Sequence, residues 1–398
     1  LLPVTLGLTV FLWLFTMTGG QDIFVNEVLG GAYDSQAEHF LRGDVGVDAS
    51  AIAHERMIVN GKVRMYFGPF PALLRAPLNF IYAAGHGKWS RISGFCAGVI
   101  ALFAFVGLVR AALRSSSLSS RSRNWIGNAC MIGFALGSPL LLLLGNLSIY
   151  DEAIVWGLAW SVSALYFAWR SRTNERAALT RSLLGFSVCA AAALLSRATF
   201  GAPFVLIAPL LAIRLFHQHR IRNIVALFLP LGAALVFYLF LSYARFGDFS
   251  GMNMRYNINP VQRDFAVKHG LFRFERVPYS FADYVLLRSP KLQRQAPFLE
   301  ANRQDYRHQN LYVMPFTETY SSLLWSSSWI LLGAAIGVAM LLRPAGAEGV
   351  DRVIAAIFLL QIIVILSFMG LAQRYLAEFF PFLIFTFLIF LRQGKISF

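Results

Sequence analysis

Charge is what this 398-residue chain has least of. Asp, Glu, Lys and Arg make up 14% of it and hydrophobic residues 57%, against about 25% and roughly 45–50% in an average soluble domain. There is too little charge to coat one, two or three soluble domains, and too much apolar surface for a disordered chain. Cysteine is scarce as well. Cys96, Cys130 and Cys189 sit inside apolar runs, which excludes a disulfide scaffold and leaves them as packing residues. Lysine supplies only 5 of the 35 basic residues behind the net charge of +15. The arginines are dealt out between hydrophobic segments instead of gathering on one face, so a nucleic-acid partner is excluded. There is no G-x-x-x-x-G-K-[ST] and no H-E-x-x-H, no recognisable Ser or Cys nucleophile with a base beside it, and no internal repeat.

What the chain does have is long apolar runs, and a mean hydropathy of +0.59. A membrane-crossing helix needs about 20 such residues. Spans are expected near Leu1–Met17, Ile92–Val109, Trp125–Gly145, Glu152–Trp169, Leu183–Ser196, Ala202–Phe216, Asn223–Tyr243, Leu323–Leu342, Arg352–Gly370 and Tyr375–Leu391. The fold class is therefore an all-α polytopic membrane protein of about ten helices, one integral domain over 1–398. The chain opens on Leu1, already inside an apolar run, so further N-terminal residues are expected to precede it.

Short loops rich in arginine face the cytoplasm. Loops 110–124, 170–181 and 214–222 carry Arg110, Arg114, Arg121, Arg123, Arg170, Arg172, Arg176, Arg181, Arg214, Arg220 and Arg222 against one acid, Glu175. They fit one topology, with both termini cytoplasmic, provided Met65–Ala84 does not cross. Its Pro69, Pro71, Arg75 and Pro77 suit a juxtamembrane or re-entrant piece. Segments 19–91 and 244–321 then share the outer face, the first as short helices lying on the membrane. The periodicity of Val28, Tyr33, Ala37, Phe40 and Leu41 predicts an amphipathic helix there.

Seven of the 20 acids fall in this first loop: Asp22, Glu27, Asp34, Glu38, Asp44, Asp48 and Glu55. Asp151, Glu152, Arg197 and Arg374 stand at the outer membrane edge, where ionisable residues are costly and mark function by default. The seven histidines include no pair at metal-ligand spacing on an outer helix. No cofactor is expected, and a divalent ion stays open. Carboxylates, arginines and aromatics suit a general base acting on a hydroxyl, with cations stabilising a phosphate leaving group. Each also has a plainer role open to it. Glu152 sits where an acid favours a helix N-terminus, Asp34 can solubilise a surface helix, Glu55 can pair with Arg56 or Lys62, and Arg197 and Arg374 can snorkel.

The stretch Tyr33-Asp34-Ser35-Gln36-Ala37-Glu38-His39-Phe40-Leu41-Arg42-Gly43 resembles the first outer loop of C-type (GT-C) membrane glycosyltransferases. That group includes the family 39-like protein O-mannosyltransferases and the aminoarabinose transferases of lipid A. His54-Glu55, Asn60-Gly61-Lys62 and Tyr66-Phe67-Gly68-Pro69-Phe70-Pro71 running on to Arg75-Ala76-Pro77 are similar to a pattern in its bacterial members. Weaker blocks follow in the same order at Tyr150-Asp151-Glu152, Ser196-Arg197, Arg245-Phe246-Gly247 and Arg374-Tyr375-Leu376-Ala377-Glu378. The resemblance implies a bacterial inner-membrane enzyme that moves a sugar, with inversion, from a polyprenyl-phosphate donor on the periplasmic face. The acceptor is a lipid, glycan or protein.

It also implies a carboxylate base, for which Asp34 stands first with Glu55 and Glu152 following as its partners, and phosphate-binding cations, for which Arg197, Arg245, Arg374 and Lys62 stand. Tyr33, Tyr66 and Tyr375 are the accompanying acceptor-side or loop residues. Better-known members place an Asp-Glu pair three to four residues before the loop tyrosine, where this chain has Leu29-Gly30. Two other classes stay open: a non-catalytic subunit of a larger membrane complex, and a transporter of lipid-linked saccharide.

Overall fold

The structure, a computed structural model, describes residues 1–116, 118–172, 175–216, 221–295, 299–300, 321–343 and 349–393. It opens with α1 (Leu2–Thr16), whose Pro3 stands in the first turn, where its missing N–H would be unpaired anyway. The first long connection then folds into α2 (Ala32–Leu41), α3 (Ala49–Ile52), the hairpin β1 (Met57–Val59) and β2 (Lys62–Arg64), and α4 (Phe70–Ile81). A run of bundle helices follows: α5 (Ser90–Arg114), α6 (Ser120–Leu136), α7 (Pro139–Gly145), α8 (Ile149–Arg170), α9 (Arg176–Ser196), α10 (Ala198–Phe216) and α11 (Ile221–Phe246). The second long connection holds α12 (Pro260–His269) and α13 (Val277–Phe281). It leads to α14 (Leu323–Ser326), α15 (Ser328–Leu342), α16 (Gly349–Ser367) and α17 (Phe380–Gln393). Residues 296–298 and 301–320 of the expected outer loop lie outside the described residues.

Each expected span coincides with a helix or a helix pair. Among the described residues six helical stretches are long and apolar enough to cross a membrane: α5, α6 with α7, α9, α11, α16, and the 373–393 stretch ending in α17. Shorter apolar helices run over Leu2–Thr16, Ala198–Ile213 and Ser328–Leu342. The chain is an all-α multi-pass membrane protein.

α8 is the centre. It packs against α5, α9, α10 and α17, and nearly every residue from Ile149 to Leu165 is buried. A helix surrounded by protein can carry Asp151 and Glu152, because lipid never meets them. The α6–α7 break has a local cause. Ser138 Oγ caps the second helix through Leu140 N–H, with Pro139 at its first position, and Trp329 Nε1 donates to Gly137 O at 2.8 Å.

Met65–Ala84 is not one continuous helix. Its helix, α4, has 12 residues and spans about 18 Å, well short of the ~30 Å hydrocarbon core. Two expectations for the first loop need correction. Residues 57–64 are a hairpin, not helix, because Asn60 and Gly61 both adopt positive φ, at 51° and 75°, as the tight primed turn requires. The face expected of α2 is also narrower. Val28 precedes the helix and Leu41 ends it at 74% exposed, while Tyr33 and Ala37 are buried.

Candidate functional site

The first turn of α8 and the helices of the first loop meet at one guanidinium. Arg75, on α4, is 1% exposed and sits between two carboxylates that are fully buried. Its Nη1 donates to Asp34 Oδ2 on α2 and to Gly30 O at 2.6 Å. Its Nη2 donates to Glu152 Oε2 at 2.5 Å and to Ser90 Oγ at 3.0 Å. Asn79 Nδ2 donates to the other Asp34 oxygen at 2.8 Å, and Trp89 Nε1 holds Asn79 in turn at 2.7 Å. Both oxygens of Asp34 are thus engaged, whereas Glu152 Oε1 is buried without a partner. Burial alone would lower the Arg75 pKa, but Glu152 and then Asp34 outweigh it and hold the group above its ordinary value.

Glu55 lies in a different setting. Its two oxygens accept from phenols, Tyr150 Oη at 2.5 Å and Tyr66 Oη at 3.0 Å. Burial and then the Glu55 charge push the Tyr66 pKa well above the ordinary phenol value, so this phenol stays a donor. Above Tyr150 lies Arg374, its guanidinium carbon 4.6 Å from the ring centre and 5.4 Å from that of Tyr375. Arg197 covers the same Tyr375 ring at 5.2 Å, and its Nε donates to Glu378 Oε1 at 2.7 Å. Two arginines 177 residues apart in sequence therefore share one aromatic ring. Arg197 owes its place to two glycines. A Cβ on Gly68 would strike the Leu195 and Ser196 carbonyls, and one on Gly201 would strike the Leu194 backbone, so only glycine permits these approaches.

The remaining expected residues divide. Arg245 is buried at the end of α11, donates Nη1 to Phe67 O at 3.1 Å, and leaves Nε and Nη2 without partners. Tyr33 Oη donates to Ile149 O at 3.0 Å, with Arg75 over its ring at 5.4 Å. Burial and then Glu152 raise the Tyr33 pKa well above its usual value, against the opposing fields of Arg75, Arg197 and Arg245. Lys62 stands exposed beside the hairpin turn, apart from the others. Asp151 accepts from the Ser148 hydroxyl at its own helix start. Among the described residues no group of three or more His, Cys, Asp or Glu is placed to hold a metal ion.

Sequence reasoning did not give Arg75, Tyr150 or Glu378 a site role. Arg75 had the clearest signal, an ionisable residue within an apolar run, which marks function by default. A narrow apolar crevice of about 20 Å³ also lies between α5, α8, α10, α16 and α17, lined by Leu108, Trp169, Arg172, Phe204, Ile354 and Phe385. It sits at the far end of α8, roughly 20–25 Å from Glu152 by helix rise, and brings none of the candidate carboxylates with it.

The fold and these charges define a multi-pass membrane protein with an arginine–tyrosine–carboxylate cluster at one end of its bundle. The chain is similar to the crystal structure of ArnT from Cupriavidus metallidurans bound to undecaprenyl phosphate, at 13% identity and a TM-score of 0.49. The match covers 100% of this chain and 60% of that one, so the chain spans well under two thirds of the length of that protein. No protein-family model and no curated protein matches the chain.

Proposed function

We propose that this chain is a C-type membrane glycosyltransferase that takes a polyprenyl-phosphate-linked sugar and transfers it, with inversion, to a hydroxyl on the outer face of the bacterial inner membrane. One observation carries the reading: Arg197 and Arg374 share the Tyr375 ring, and Arg374 lies over the tyrosine that holds Glu55. Arginine forks suit a phosphate, and Arg245 joins them with two donors free.

The base falls to Glu55. Asp34 is paired with a guanidinium, Arg75, and with the Asn79 amide, while Glu55 accepts from two phenols and lies 3.7 Å from His54 Nε2. In this mechanism Glu55 accepts the acceptor hydroxyl's proton as that oxygen attacks the anomeric carbon. The bond from that carbon to the phosphate oxygen breaks, and the lipid phosphate leaves between the arginines. Asp34 and Glu152 act through Arg75 as positioning residues.

A second reading, a non-catalytic subunit, is favoured by Leu29-Gly30 standing where the family has Asp-Glu. Purified protein in nanodiscs, given a radiolabelled polyprenyl-phosphate sugar, separates the two. Glycosyl transfer or slow donor hydrolysis supports the enzyme, binding without turnover supports the subunit, and no binding of polyprenyl phosphate overturns both. Sidedness is tested by cysteines placed at Ser120 and Ser250. In intact cells an impermeant thiol reagent should reach Ser250→Cys first, and the reverse order would overturn the outer-face assignment.

A further inference from the structure

α2 satisfies every polar side chain it carries except one. Tyr33 donates to Ile149 O, and Asp34 accepts from Arg75 and Asn79. Ser35 donates to Asp48 at 2.6 Å. Glu38 pairs with Arg42 and His86, and His39 lies between Asp44 and Asp48. Gln36 is wholly buried, and neither its amide oxygen nor its amide nitrogen has a partner. A buried amide left unpaired at both ends is a standing cost to the fold, and an aliphatic residue of the same length would avoid it.

A second group nearby has the same character. Arg245 is 4% exposed and keeps Nε and Nη2 unpartnered. Its remaining nitrogen, Nη1, donates to a neutral carbonyl, that of Phe67. Tyr33 links the two. It shares one buried cluster with Phe67, whose carbonyl accepts from Arg245 Nη1, and Gln36 follows it by three residues, on the same helix face. A guanidinium with two free donors and an amide with a free donor and a free acceptor thus flank one tyrosine. Such a pair complements an anionic oxygen next to a hydroxyl that both donates and accepts.

We propose that Gln36 is a recognition residue for the sugar of the ligand, bonding a hydroxyl of the ring while Arg245 meets the phosphate to which that ring is joined. This rests on the glycosyltransferase reading and deepens it. The orphaned amide is retained because the sugar completes it.

The test uses the full chain in nanodiscs, with Gln36→Met and Gln36→Ala, and two kinds of probe: undecaprenyl phosphate, and undecaprenyl phosphate carrying glucose, mannose or galactose. Met keeps the length and removes the polar atoms. Without ligand, Gln36→Met should melt at or above the wild-type temperature, because no hydrogen bond is lost. Its affinity for undecaprenyl phosphate should stay within about twofold. Affinity for the best-bound sugar-bearing lipid should fall by roughly tenfold, the worth of one hydrogen bond. Gln36→Ala should show the same selective loss, with a lower melting temperature from the cavity it leaves. Equal loss for both kinds of lipid, no loss for either, or a Gln36→Met variant that melts well below wild type would each overturn the proposal. Wild-type protein that binds the bare lipid but none of the sugar-bearing ones would overturn it while leaving the phosphate site intact. Wild-type protein that binds neither would overturn the glycosyltransferase reading itself.

Discussion

Asp34 and Glu152 on one side, and Glu55 on the other, are buried carboxylates at the same end of the bundle, yet they have different partners. The first pair is closed around Arg75, with 0% of either side chain exposed and a cation supplied from within. Glu55 is held by Tyr66 and Tyr150, and the arginines beside it rest on tyrosine rings that are themselves partly exposed. A carboxylate paired with a buried cation has its charge already balanced and is costly to disturb. In the reading proposed above Glu55, held by phenols, is the base and the pair around Arg75 is structural, so the partner and not the depth of burial separates them.

Substitutions can break or sharpen that contrast. The largest effect expected is on turnover: Glu55→Gln should lower transfer by roughly 10²–10⁴, the worth of a positioned base, with the melting temperature little changed. Full activity in that variant would move the base elsewhere. Next in size, Arg75→Gln leaves two buried carboxylates without their cation and should cost about 3–5 kcal/mol of stability, seen as lost expression and an early thermal transition. Asp34→Asn should follow in the same direction, since an amide nitrogen would then face a donor from Arg75 or Asn79. An Asp34→Asn protein that melts normally but transfers nothing would reverse the assignment of the two acids.

Arg374→Ala should weaken polyprenyl-phosphate binding by about 1.5–3 kcal/mol, the loss of a charged hydrogen bond, measured by titration in nanodiscs. The smallest effect concerns Asp44, outside both groups. Partial burial pushes its carboxyl up, but His39 and Arg64 outweigh that and bring it to about 2, from an ordinary 3.8. The folded-state value is the lower one, so the stabilisation is complete above about 4 and is lost as the pH falls through about 2. Asp44→Asn should flatten the acid limb of a melting-temperature profile over that window. An unchanged profile would show that the His39–Asp44–Arg64 contacts contribute nothing.

The spans were legible because a run of apolar residues announces its burial locally, whatever it packs against. Arg197, Arg374 and Tyr375 were legible as ionisable and aromatic residues at a membrane edge. Arg75 was legible as a charge within an apolar run, but its pairing was not, because its partners lie 41 and 77 residues away and no local pattern encodes such a pairing. The hairpin was legible in principle. Asn60-Gly61 is a strong turn signal, but the strands it joins have three residues each, too few for an alternating pattern to show. Val28 misled in the opposite way, since it keeps helical spacing with Tyr33 but stands outside the helix that the spacing describes.

The Arg75 junction also has a consequence in time. Its first anion, Asp34, precedes it in the chain, but its second, Glu152, is made 77 residues later, a delay of about 4–15 s at ordinary rates of synthesis. During that interval α5, α6 and α7 must enter the bilayer while the guanidinium has one counter-charge in place of two. Arg75 then has Asp34 as its one carboxylate partner until α8 brings Glu152 to the other side of the guanidinium.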